Sequence, residues 1–370
     1  MRETGPASTR AFTIIELLVV VSIIALLVGV LLPAIGRARD QSRQAMSGAN
    51  LRNLATAHGS YAAEWGDRQF TMVDDNIAVY GESAGPAFEE YYNRNGADGW
   101  LSWHPPVHLG RTITGGEYAF FNAPGQVGNH GLTQPIVFRG EDGIRYFGSF
   151  RIPNCTAFNQ YVSGKFYEKV FYAPKDTVVV DRIIHTPGGW SCFDDPAPYC
   201  VTGGSPAWCS YVLSPAAMFS PDVLANPDRG GYTTPFELKA GFRSPSFSQA
   251  LYPSLKTHML EHHWLQSRRA ECNPAFDPGG HYACQPYFFN ASWESQPMTL
   301  FYDGHVESVG VRKAMRHDGR VETQSGHGLW SRDTTFGENG YYIDAAYDQA
   351  ATSFHILTTD GIRGRDFVSD

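Results

Sequence analysis

The most extended pattern in the chain is an apolar run. From Phe12 to Ile35 it reads FTIIELLVVVSIIALLVGVLLPAI, and Glu16 is its only charged residue. At 1.5 Å per residue these 24 positions form a helix of about 36 Å. About 20 apolar residues suffice to cross a bilayer, so one transmembrane helix is predicted over 12–35. A secretory signal has a shorter apolar core with a small-residue cleavage site beyond it. Here the core is longer and the small residue, Ala11, precedes it, which predicts that the apolar part is retained.

The pattern then turns amphipathic. Ile35, Ala38, Ala45, Ala49, Leu54, Ala57, Tyr61 and Trp65 recur at roughly helical spacing, which predicts a stem over 36–65 that continues the membrane helix. Gly66-Asp67 ends the periodicity. Beyond it, FRGEDGIRYFGSFRI, KVFYAPKDTVVV and WCSYVLSP read as strands parted by turns. Near the end, Met298–Tyr302 and His305–Val309 alternate on either side of Asp303-Gly304, the signature of a hairpin with a type I′ turn.

Composition sharpens this picture. With 38 Gly, 23 Pro and 14% aromatic residues, 66–370 reads as one head rich in sheet and loop rather than a helical bundle. A formal net charge of −8 argues against nucleic acid as a partner. All six cysteines, Cys155, Cys192, Cys200, Cys209, Cys272 and Cys284, follow the apolar run, an even count that suits disulfides in an oxidising compartment. Fifteen connectivities are open. Nearness in sequence favours Cys272 with Cys284 and Cys192 with Cys200, leaving Cys155 for Cys209.

The stretch RAFTIIELLVVVSIIALLVGVLLPAIGRAR resembles the N-terminal class III signal of type IV pilins and type II secretion pseudopilins. That resemblance implies a leader, 1–11, cut between Ala11 and Phe12 by a prepilin peptidase, with methylation of the new Phe12 amine. Ala11 departs from the Gly usual before the cut. It also makes Glu16 the fifth mature residue, whose carboxylate pairs with the amine of a neighbouring subunit, and Pro33 the proline at which the pilin stem bends or melts. ANLRNLATAHGSYAAEWGD resembles the stem of large pseudopilins, and FYDGHVE the C-terminal element of large planctomycete-type pseudopilins. The resemblance covers both ends of the chain and leaves the middle unmatched. It implies an α+β pilin-like fold, a long N-terminal helix packed on an antiparallel sheet, in a bacterial inner-membrane protein with its head outside the cytoplasm. The implied partners are sibling pilins and an inner-membrane assembly platform. Arg37, Arg39 and Arg43 stand against this orientation, because basic residues favour the cytoplasmic side of a span.

Catalytic patterns are thin. His258-Met-Leu-Glu261-His262 fits H-x-x-E-H, which on a helix could offer two zinc ligands and a base, but nothing downstream marks a third ligand. Trp100, Trp103, His104 and His108 form an aromatic cluster that suits a core or a binding platform. Asp74-Asp75-Asn76, Asp194-Asp195 and Asp222 with Asn226 and Asp228 supply the clustered oxygens calcium takes, without a calcium-loop spacing. No G-x-S-x-G occurs. The expectation is a structural subunit with no catalytic residues and no cofactor, calcium being the one candidate. The alternative is an envelope enzyme or ligand-binding protein that uses the helix only as an anchor.

Overall fold

The structure is a computed structural model that describes residues 13–71, 79–83, 86–87, 90, 94, 107–111, 117–120, 135, 149–191, 207, 209–262, 293–334 and 357–369, with only the backbone at 107–111 and 117–120. It divides into two compact units, 1–45 and 46–370.

Helix α1, Ile14–Glu64, runs through both segments that the sequence assigns to span and stem. Thr13 and Glu16 cap its start reciprocally. The Glu16 N–H donates to Thr13 Oγ1 (3.2 Å), and the Thr13 N–H donates to Glu16 Oε2 (2.9 Å). Pro33 lies inside the helix and removes one backbone bond, the one toward Gly29. The helix continues through Pro33 without interruption. α1 ends where Gly66 (φ +63°) and Asp67 (φ +68°) both turn left-handed and the Asp67 N–H reaches back to the Ala62 carbonyl at 2.7 Å.

In the first unit the apolar side chains of α1 from Ile14 to Ile35 are exposed. This segment is long and apolar enough to cross a membrane.

The second unit is an α+β arrangement. A two-stranded ribbon pairs β1 (Val107–Arg111) with β2 (Glu117–Phe120). The main sheet is an antiparallel meander in the order β3 (Tyr211–Leu213), β4 (Thr257–Glu261), β5 (Met298–Phe301), β6 (Val306–Ser308). The unit also contains the short helices α2 (Thr156–Asn159), α3 (Thr177–His185) and α4 (Pro215–Met218) and the longer α5 (Val311–Ser325). Turns and single 3-10 turns fill much of the rest. The described part of the head has a small sheet and many turns.

Two local readings are corrected. KVFYAPKDTVVV is not a strand: Lys169–Phe171 is a 3-10 turn, and Asp176 caps α3 by accepting from the Val179 N–H at 3.2 Å. Val179 and Ile183, one helical turn apart, are its buried residues, so capping and burial outweigh the β preference of three consecutive valines. The Asp303-Gly304 hairpin forms, but Gly304 (φ +86°) is left-handed and Asp303 is not. The Gly304 N–H donates to the Phe301 carbonyl and the Phe301 N–H to the His305 carbonyl, both at 3.0 Å. This is a three-residue loop, a type I turn closed by a glycine bulge, rather than a type I′ turn.

The C-terminal segment 357–369 is sewn into the core. Thr358 bridges Trp330, the Ser331 N–H donates to Leu357 (2.8 Å), and the Asp366 N–H donates to Leu255 (2.9 Å). Asp366 and Lys256 form an ion pair at 2.9 Å with both side chains fully buried. Lys256 Nζ also donates to Ser214 Oγ and Thr358 Oγ1, each at 2.9 Å, which satisfies all three of its protons.

Candidate functional site

The stem part of α1 presents Ser47, Gly48, Leu51, Leu54, Ala57, His58 and Ala62 to the head. This stripe is rotated from the one read off the sequence: Ala45, Ala49 and Trp65 are exposed, and two polar residues, Ser47 and His58, are buried instead. Gly48 lets the helix approach the sheet, since a Cβ there would sit 3.4 Å from Met298 on β5 and 3.8 Å from Val306 on β6.

Two polar contacts lock this seam. Ser47 Oγ donates to the buried Glu261 carboxylate on β4 and lies 2.8 Å from Tyr211 Oη on β3. The Met298 N–H donates to the other Glu261 oxygen at 2.9 Å. Burial drives the Glu261 carboxyl up to about 7, against the pull of Ser47 and Met298 toward the charged form. Eleven residues along α1, His58 meets His258 edge-on with ring centroids 4.5 Å apart and packs on Phe158 of α2 at 4.2 Å. Neither ring nitrogen of His58, nor His258 Nε2, has a hydrogen-bond partner among the described residues. Burial holds both imidazoles neutral: His58 titrates well below the usual range and His258 at about 3, helped down by the Lys256 charge.

His258 and Glu261 are three apart on a strand, so ideal alternation would send them to opposite faces. β4 carries one extra residue between the pairs Thr257↔Phe301 and Met259↔Leu300. That bulge resets the alternation and lets both side chains meet the same helix. The H-x-x-E-H pattern is thus carried by a strand from His258 to Glu261 and not by the helix a zinc site of that kind uses, its Glu is bound to Ser47 and Met298, and among the described residues no three His, Cys, Asp or Glu side chains converge.

Removing the Ser47 hydroxyl should expose the cost of this buried carboxylate. Ser47→Ala is expected to lower the unfolding free energy by about 1–3 kcal/mol in chemical denaturation at neutral pH, because Glu261 loses a buried donor. Asn50→Ala should cost less, since its amide makes only long contacts, 3.3 Å to the Tyr172 carbonyl and 3.4 Å to Tyr211 Oη.

The remaining candidates fall as follows. Ala11 and Phe12 lie outside the described residues, as do Cys192, Cys200, Cys272 and Cys284, Trp100, Trp103, His104, the His108 side chain, Asp74-Asp75-Asn76 and Asp194-Asp195. Cys155 and Cys209 are not bonded to one another: both are free, buried thiols. Burial raises both thiols, Cys155 to about 12. Asn226 spends its side chain on the turn, accepting from the Asp228 N–H at 2.9 Å and meeting His327 Nε2 at 2.7 Å. No protein-family model, curated protein or solved structure matches the chain.

Proposed function

We propose that this chain is a pilin-like filament subunit of a type IV pilus or type II secretion system. Its leader, 1–11, would be removed before Phe12, its helix would pack with copies of itself, and its head, 66–370, would form the outer surface outside the cytoplasm. One observation supports this reading above the others: a single helix of 51 residues devotes its first half to an exposed apolar surface and its second half to a sheet. A simple membrane tether has no need of the second half. In this reading Thr13 holds the Glu16 carboxylate at the start of the helix until the Phe12 amine of an incoming subunit replaces it. The two charges then neutralise each other in lipid, where each alone is costly. Prepilin peptidase, sibling subunits and an assembly platform are the partners, and no residue of the chain acts as a catalyst.

The test is assembly in a host that carries the matching machinery. Glu16→Leu should leave the protein in the membrane fraction and abolish its recovery in sheared filaments. So should exchange of 12–35 for an unrelated membrane span. Filaments formed by both variants at wild-type levels would refute the proposal.

A further inference from the structure

Three arginines remain unexplained by filament packing. Arg37, Arg39 and Arg43 follow the apolar run directly, with Asp40 the only acid among them, so this short segment carries a net +2 in a chain whose net charge is −8. All lie on α1 within the first unit, Arg37 and Arg39 exposed and Arg43 half-exposed.

Helix geometry fixes where they stand relative to a bilayer. With the hydrocarbon core ending at Ile35, the Arg37, Arg39 and Arg43 backbones lie about 3, 6 and 12 Å beyond it along the axis. The headgroup layer on each side is about 5–7 Å deep. Arg37 and Arg39 therefore sit within it, and Arg43 lies inside a Debye length of its surface. At 3.6 residues per turn, Arg39 and Arg43 share one side of the helix and Arg37 faces the other. Arg37 and Arg39 thus flank the stem at phosphate level, where a guanidinium can bind a phosphate through two parallel N–H bonds, and Arg43 adds its charge just above them.

We infer that Arg37, Arg39 and Arg43 form a collar that binds anionic phospholipid headgroups where the stem leaves the membrane. This rests on reading 12–35 as a membrane span. It also supplies a reason for basic residues on the side of a span that the positive-inside tendency leaves acidic or neutral. The acidic head is repelled by an anionic membrane surface, and the collar supplies a local attraction at the base of the stem.

The full chain would be placed in bilayer discs holding one copy each, so that contacts between copies are absent. The discs would be of phosphatidylcholine mixed with phosphatidylglycerol. Spin-labelled versions of the two lipids report which is held at the protein. Phosphatidylglycerol should be enriched over phosphatidylcholine by up to roughly fivefold per arginine at low salt, and less at high salt. The R37Q/R39Q/R43Q variant, which keeps good helix formers, should lose the preference. Equal retention of the two lipids by the native chain, or an unchanged preference in the variant, would overturn the collar and leave the span intact. A native chain that holds neither lipid, and that alkaline wash strips from the discs, would overturn collar and span together.

Discussion

Asp366→Ala should be the most damaging single truncation in the head, lowering the unfolding free energy by about 3–5 kcal/mol. Asp366 is fully buried, and it is the sole carboxylate that Lys256 meets at ion-pair distance among the described residues. It also accepts the Thr257 N–H at 2.9 Å. Without it, Lys256 either remains charged in an apolar core or gives up its proton. Burial already pulls the ammonium below its usual range, and only Asp366 pulls it back. The pair also holds the C-terminal segment on β4, so deletion of 357–370, which removes the buried Leu357, Ile362 and Phe367 as well, should cost more. Lys256→Met with Asp366→Leu separates the charge from the packing, because two apolar residues of similar size leave no orphaned ion. That double variant should recover the part of the loss owed to the orphaned charge in denaturant titration, the remainder reporting the Thr257 N–H left without its acceptor. If Asp366→Ala alone costs less than about 1 kcal/mol, the buried pair is not as described.

Acid should loosen the seam between stem and sheet. In the unfolded chain His58 and His258 titrate near 6.5, whereas in the folded head both are held lower, His258 at about 3. A depressed histidine leaves stability intact above 6.5 and removes it as pH falls from there toward the folded value. The slope approaches about 1.4 kcal/mol per pH unit for each group. Glu261 acts in the opposite sense. Its folded value of about 7 lies above the unfolded 4.5, so its contribution is full below 4.5 and is lost as pH rises to about 7. Between 4.5 and 6.5 the two histidines outweigh the one glutamate, and the head should weaken as the medium turns acid. The difference between native chain and His58→Phe isolates the histidine part. The gap in unfolding free energy should shift in favour of the variant by about 1 kcal/mol per pH unit below 6. A gap that does not change between pH 7 and 5 would mean that His58 is hydrated or protonated in the fold.

How much of this was legible in the sequence differs by element. The apolar run and Gly66-Asp67 fix the two ends of α1, because length of burial and left-handed turns leave strong local signatures. The strands on either side of Asp303-Gly304 were also legible to within a residue. The buried stripe of the stem was not. Ser47 and His58 are polar and are not among the positions that define the apolar stripe, and only Glu261 and His258, more than 190 residues away in sequence, give them a reason to be inside. The bulge that brings His258 and Glu261 to one face depends on register with β5 and leaves no mark in HMLEHH itself. The three valines of α3 show the same limit from the other side: Asp176 as a cap carried more information than their β-branching. Cys155 and Cys209 were paired from their order along the chain, which says nothing about where a sulfur points.

The assembly reading stands or falls at the chain's first dozen residues. The most direct measurement is N-terminal mass spectrometry of the protein recovered from membranes of a host that carries a prepilin peptidase. A mature terminus at methylated Phe12 is the expected result; an intact Met1, or cleavage beyond residue 30, would contradict it.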